Sequence, residues 1–133
     1  MIKKQVVVGI LINSKQQVFI AQRSANGTYP LKWEFPGGKV EEGESYEEAL
    51  NRELHEELGC KIQQSYELFH ANDIIYEDGG YFSVRFYVVK CDNLEIQSTL
   101  WVDMKWEEVK NLHHYDMLEG NKEVVRLLQE HYS

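Results

Sequence analysis

Cysteine and proline are scarce in this chain: two of each among 133 residues. Cys60 and Cys91 lie far apart and form no Cys-x-x-Cys pair. That excludes a disulfide framework and a cysteine-rich metal site as organising principles, and both residues read as reduced thiols in or near the core. A chain of this length buries enough apolar surface to fold without such staples. Basic residues are also under-represented: 14 Lys and Arg face 22 Asp and Glu, for a net charge of −8. This balance argues against polymeric nucleic acid and against an anionic membrane as partners. It leaves a small phosphate compound open, because a bound cation inverts the local charge. Long apolar runs are missing as well. The opening MIKKQVVVGILINS puts lysines before an apolar run, but the run is short and no small-residue cleavage site follows, so it reads as a strand rather than a signal peptide. No segment is long enough to span a bilayer. Linkers, repeats and low-complexity tracts are absent too. The expectation is one cytoplasmic domain over residues 1–133.

Hydrophobic residues are plentiful, at 43%, and their spacing places the elements. VVVGILI (6–12) is apolar and β-branched throughout, the pattern of a strand buried on both faces. VFIAQR (18–23) follows a polar turn and pairs back as a hairpin. SANGTYP (24–30) is a loop, and KWEF (32–35) is extended ahead of Pro36. Further strands are expected at 65–73, 80–91 and 104–106, with EDGG (77–80) as a turn. WEEVKNL (106–112) reads as a short helix, and the segment ending KEVVRLLQEHY as an amphipathic one. Strands interleaved with two substantial helices imply an α/β (α+β) fold, a mixed sheet covered on both faces.

The densest chemistry lies in EFPGGKVEEGESYEEALNRELHEELGC (34–60). Ser45 and Glu48 form a capping box, and Gly59 supplies a left-handed stop, so a helix is expected over 46–58. At about 100° per residue, Ala49, Leu50, Leu54 and Leu58 form the core stripe. Glu53, Glu56 and Glu57 share another face, beside Arg52, the only basic residue other than histidine on the helix. Like charges at that spacing repel, so the face is either simply solvated or built for something positive. Pro36-Gly37-Gly38 reads as a tight turn that can aim a backbone carbonyl inward. A carbonyl and three carboxylates are the hard oxygen donors that magnesium prefers.

These residues resemble a known signature. Gly38, five residues, Glu44, seven residues, then Arg52-Glu53-Leu54-His55-Glu56-Glu57-Leu58-Gly59-Cys60 is similar to the motif of the Nudix hydrolases, with Cys60 in the closing apolar place. The resemblance implies an α/β/α sandwich and magnesium- or manganese-dependent cleavage of nucleoside diphosphate linkages. It implies metal ligation by Glu53, Glu56 and Glu57 and by the carbonyl of Gly37 or Gly38. It also implies that Arg52 orients Glu53 and that Glu44 pairs near the loop or helix end. VVVGILIN, Arg23 after VFIAQ, and KWEFPGGKVEEGES resemble the MutT-type branch, which takes nucleoside triphosphates to monophosphate and pyrophosphate, oxidised guanine nucleotides among them. Close relatives take cytidine triphosphates.

Several residues bear on the ligand. Asn121 matches an asparagine that reads the base in that branch; its other reading is a first-turn residue of the last helix. Arg23 matches a nucleotide contact, or simply ends a strand. Trp33 and Phe35 alternate onto one side, where either can wall a base or sit in the core; Tyr81 and Phe82 are weaker candidates, and Lys39, beside the glycines, is a further substrate-binding candidate. His55, His70, His113 and His114 read as surface or packing residues. Leu100 stands where the branch usually carries a further glutamate, which leaves the general base to Glu53, with Glu95 and Asp103 as substitutes. A binding module that has lost its chemistry is the rival reading, opposed by the intact glutamate face. Among enzymes, a cytidine or modified pyrimidine triphosphate pyrophosphohydrolase is the alternative.

Overall fold

The computed structural model describes residues 3–59 and 66–132, so Cys60 lies outside it. Its elements are β1 (Lys4–Ile12), β2 (Gln17–Gln22), β3 (Trp33–Glu34), β4 (Gly37–Lys39), α1 (Tyr46–Leu58), β5 (Tyr66–Ile75), β6 (Tyr81–Lys90), β7 (Asp103–Glu108) and α2 (Lys122–Tyr132). Two 3-10 turns, Val109–His114 and Glu119–Asn121, precede α2.

β1 is the centre of a mixed sheet. On one edge it runs parallel to β6 from Lys4↔Phe82 to Ile12↔Lys90. On the other edge it is shared: Val6, Val7 and Val8 pair with β4, whereas Ile12 pairs with Val18 of β2. Strand alternation then sends successive β1 side chains to opposite faces. Val7 and Leu11 join Ala49, Leu50, Leu54 and Leu58 of α1 in one core. Val8, Ile10 and Ile12 join Val124, Val125 and Leu128 of α2 in the other. The result is the α/β/α sandwich with a mixed sheet between helices. Each fully buried leucine in these layers contributes about 2 kcal/mol. A β-carbon on Gly9 would lie 3.1 Å from Leu50 Cδ1 and 3.3 Å from Leu54 Cδ2, so the absent side chain lets α1 press onto β1.

α1 begins with the expected capping box, Ser45 and Glu48 exchanging side-chain and backbone bonds, and ends on Gly59 at φ 69°. Two local readings need correction. Residues 106–108 are not helical: β7 pairs with β2 as far as Gln17↔Glu108, and only 109–114 coil, as a 3-10 turn. The tertiary ladder overrides the local helical pattern. Pro36-Gly37-Gly38 is not a tight turn either, because Gly37 and Gly38 lie in β4 and neither has positive φ. Glycine is needed there for clearance. A β-carbon on Gly37 would fall 2.2 Å from the Val7 carbonyl oxygen, and one on Gly38 would fall 2.3 Å from the Glu53 carboxyl carbon.

Candidate active site

The α1 face of the site is organised by Arg52. Its Nε and Nη2 donate to the two carboxylate oxygens of Glu44 at 2.7 and 2.9 Å, and Nη1 donates to Glu53 Oε1 at 2.8 Å. Nη2 also donates to the Lys39 carbonyl at 3.0 Å, which fastens the helix to β4. Glu56 is reached only at 3.5 Å and is 58% exposed. The planar guanidinium suits this arrangement, since one fork can satisfy several fixed acceptors. Arg52 holds Glu44 in its charged form and draws its carboxyl down to about 2. The same contacts raise the pKa of Arg52 itself.

Glu53 and Glu57 are tuned in the opposite direction. Burial raises the Glu53 carboxyl against the pull of Arg52. Burial pushes Glu57 up to about 8, helped by the charges of Glu53, Glu34 and Glu56 and opposed by one hydrogen bond, the Gly37 N–H donating to Oε1 at 2.9 Å. That bond turns Glu57 toward β4, while Arg52 holds Glu53 and Glu56 faces solvent. Each of the three glutamates thus has a different partner, while the charges of Glu53 and Glu56 still act on Glu57. Among the described residues, no three His, Cys, Asp or Glu side chains converge closely enough to hold an ion. The donors still fit a hard divalent cation. All are oxygens, Gly38 leaves the space that Glu53 occupies, and no basic side chain is among the described partners of Glu57. A cation beside Glu57 would favour its charged form and reverse the shift.

The ligand side lies mostly across the sheet. A cavity of about 470 Å³ is lined by Arg23, Phe35, Lys39, Tyr76, Phe82 and Asn121, with Gly37 and Gly38 at its edge. A smaller one of about 250 Å³ is lined by Glu57, Leu100 and Trp101. Arg23, Thr28 and Glu34 line both, so the two cavities adjoin. A wider depression of about 700 Å³, bounded by Lys4, Lys39 and Glu44, touches none of Glu53, Glu56 and Glu57. We place the site in the adjoining pair because there Glu57 of the acidic helix meets an apolar wall; Glu53 and Glu56 lie behind it and line neither cavity.

The other expected residues divide clearly. Arg23 Nη1 donates to Glu34 Oε1 at 2.9 Å, and its Nε donates to the Thr28 carbonyl at 2.9 Å. Asn121 is 5% exposed, and its Oδ1 accepts from the Phe35 N–H at 3.3 Å. Phe35 lines the larger cavity, but Trp33 does not; it is 8% exposed and packs edge-on against Tyr115. Trp33 instead ties β3 to the 116–118 segment through its backbone, at 2.9 Å to the Asp116 carbonyl and 2.7 Å from the Leu118 N–H. That stitch sets Asn121 beside Phe35. Tyr81 donates its hydroxyl to Asp73 and does not line either cavity. Neither Glu95 nor Asp103 lines the two cavities, and the charge of Asp103 acts on Tyr115 instead. Leu100, 55% exposed, lines the smaller cavity with Glu57.

Glu34 was overlooked in the sequence. Its carboxylate is held between Arg23 and Trp101, whose Nε1 donates to Oε2 at 3.0 Å. Strand alternation carried a signal, since Glu34 must point away from Trp33 and Phe35. Its partners, at separations of 11 and 67 residues, did not.

With the geometry in place, comparison with known proteins gives the family. The NUDIX domain model matches residues 3–128, and the chain belongs to the Nudix hydrolase family. The 8-oxo-dGTP diphosphatase of Escherichia coli K12 is 33% identical over 127 residues, covering 96% of this chain and 97% of that one. A CTP pyrophosphohydrolase from the same organism is 49% identical over 55 residues, 41% of each chain. A MutT structure, from work on the Aliivibrio salmonicida and Vibrio cholerae proteins, superposes with a TM-score of 0.78 at 30% identity and covers 96% of this chain and 97% of its own. No helix among the described residues is long and apolar enough to cross a membrane.

Proposed function

We propose that this chain is a magnesium- or manganese-dependent nucleoside triphosphate pyrophosphohydrolase. Its substrate is an oxidised purine nucleotide such as 8-oxo-dGTP, and its role is to clear damaged nucleotides from the cytoplasmic pool. The observation that carries this reading is the pair of adjoining cavities sharing Arg23, Thr28 and Glu34. One has the amide and aromatic wall that suit a base, and the other reaches Glu57. The 8-oxo-dGTP diphosphatase relative supports the choice of base.

The overall step adds water to a phosphorus and breaks one phosphoanhydride bond, giving monophosphate, pyrophosphate and a proton. Glu53, Glu56, Glu57 and the backbone carbonyls of Gly37 and Gly38 are the residues that would hold the cation. When bound, that ion neutralises phosphate charge and acidifies a water. The protein's own groups do the rest. Arg52, itself held by Glu44 and the Lys39 carbonyl, fixes Glu53. Glu53 takes the proton from the attacking water. Gly37 fixes Glu57. Lys39 and Arg23 face the phosphates, while Phe35 and Asn121 meet the base.

The test is product analysis over a panel of ordinary and oxidised triphosphates with magnesium. The expected result is pyrophosphate and monophosphate, fastest from 8-oxo-dGTP. Release of orthophosphate, or no turnover of any member, overturns the reading. A preference for cytidine triphosphates would favour the second reading, which the CTP pyrophosphohydrolase relative supports.

A further inference from the structure

The aromatic wall that lines the larger cavity with Phe35 is built by three segments that are distant in sequence. Tyr76, just after β5, packs its ring on Tyr29 at 4.9 Å between centroids and edge-on against Phe82 at 5.6 Å. Tyr29, held at φ 49°, donates its hydroxyl to Asp78 Oδ2 at 2.7 Å. That region of backbone is unfavourable for a tyrosine, so the clasp it makes with the 76–80 turn compensates for the strain. The third segment is the 3-10 turn before α2. Gly120 in that turn lies directly against the Tyr76 hydroxyl. The fit is close: a β-carbon on Gly120 would lie 2.3 Å from the Tyr76 hydroxyl oxygen and 2.8 Å from Ile74 Cδ1. Gly120 immediately precedes Asn121, and both Tyr29 and Tyr76 line the larger cavity with it.

We propose that Tyr76 is a specificity-determining positioning residue: by packing its hydroxyl against Gly120, it sets Asn121 at the depth from which the amide discriminates between bases. The idea rests on the placement of the base given under Proposed function. Among the described residues Asn121 has a single side-chain anchor, the Phe35 N–H on Oδ1. One bond fixes the oxygen but leaves the amide free to tilt about it, so the backbone beneath must be held separately. The Tyr76 hydroxyl holds it, and the Tyr29 stack holds the Tyr76 ring. Selectivity built on a buried polar contact is sensitive to small displacements, because a misplaced amide leaves its partner unpaired.

Equilibrium binding of 8-oxo-dGMP, dGMP and CMP to the full chain tests this without requiring turnover. Wild-type protein should prefer one base. Tyr76→Phe keeps the aromatic packing and should cut that preference roughly tenfold, mostly by weakening the favoured nucleotide. Gly120→Ala should reproduce the loss, and the double variant should lose less than the sum of the two. In turnover, KM for the favoured triphosphate should rise with kcat within about twofold, the mark of lost uniform binding. An unchanged binding ratio in Tyr76→Phe, an equal weakening of all three nucleotides, or no base preference in the wild type overturns the proposal. Absence of pyrophosphate release alone strikes the functional reading and leaves the binding ratio to decide the role of Tyr76.

Discussion

Arg52 on α1 and Arg126 on α2 each gather glutamates, yet their surroundings differ. Arg126 pairs with Glu123 and Glu130 on the same helix and is 55% exposed. Arg52 is 25% exposed, and its strongest partners are Glu44 before the helix, Glu53 beside it and the Lys39 carbonyl on β4. The first cluster decorates one helix. The second joins helix, loop and strand, and a neighbouring glycine clears space for one of its carboxylates. Charge clustering alone therefore does not distinguish a site from a wet surface. Fixed backbone partners and close packing around the charges do.

The largest effect expected from breaking that contrast is at Gly38. Gly38→Ala pushes a methyl into the Glu53 carboxylate and should lower kcat/KM by about 100-fold or more while the protein still melts cooperatively. Steady-state kinetics beside a thermal melt checks this, and near-normal activity would show that the carboxylate has room to move. Next comes the pH dependence of metal-free protein. Glu57 stands at about 8 in the folded state against 4.5 unfolded, so the folded state holds this proton more tightly. Its contribution to stability is complete below pH 4.5 and disappears as pH rises through about 8. Glu44, drawn down to about 2, has the opposite sign, with a contribution present above 4.5 and lost as pH falls toward 2. Denaturant melts should show the first slope in chelator and lose it in excess magnesium. The smallest effects come from a paired swap. Arg52→Lys should cost about tenfold in kcat/KM, since an ammonium cannot fork to several acceptors. Arg126→Lys should leave activity unchanged and move stability by less than about 0.5 kcal/mol in melts. Equal losses from both would show that the two arginine clusters are equivalent.

What could be read in advance follows the same division. The α1 boundaries and its buried stripe were visible because Ser45, Glu48, Gly59 and Ala49, Leu50, Leu54 and Leu58 act over a few residues. The spacing of Gly38, Glu44, Arg52 and Glu53 was also visible, and the structure brings those four side by side. The glycine pair misled, because two glycines after proline read as a turn, whereas pairing with Val7 and Val8 holds them extended. Glu34, Tyr29 and Tyr76 were missed because their partners come from distant segments. No local pattern encodes a stack between residues 29 and 76 or a bond from 101 to 34.

The shared edge of β1 has a consequence for how such a chain can change. β4 takes the early residues of that edge and β2 takes Ile12, so the stretch between Arg23 and β3, residues 24–32, carries no rung of the central ladder. Doubling the length of a flexible connection costs only ~0.6 kcal/mol in closure entropy. Lengthening or swapping this stretch would therefore recast the wall met by a ligand and leave the acidic helix seated on Gly38. New substrate preferences are within reach of loop grafting, without rebuilding the machinery that cuts.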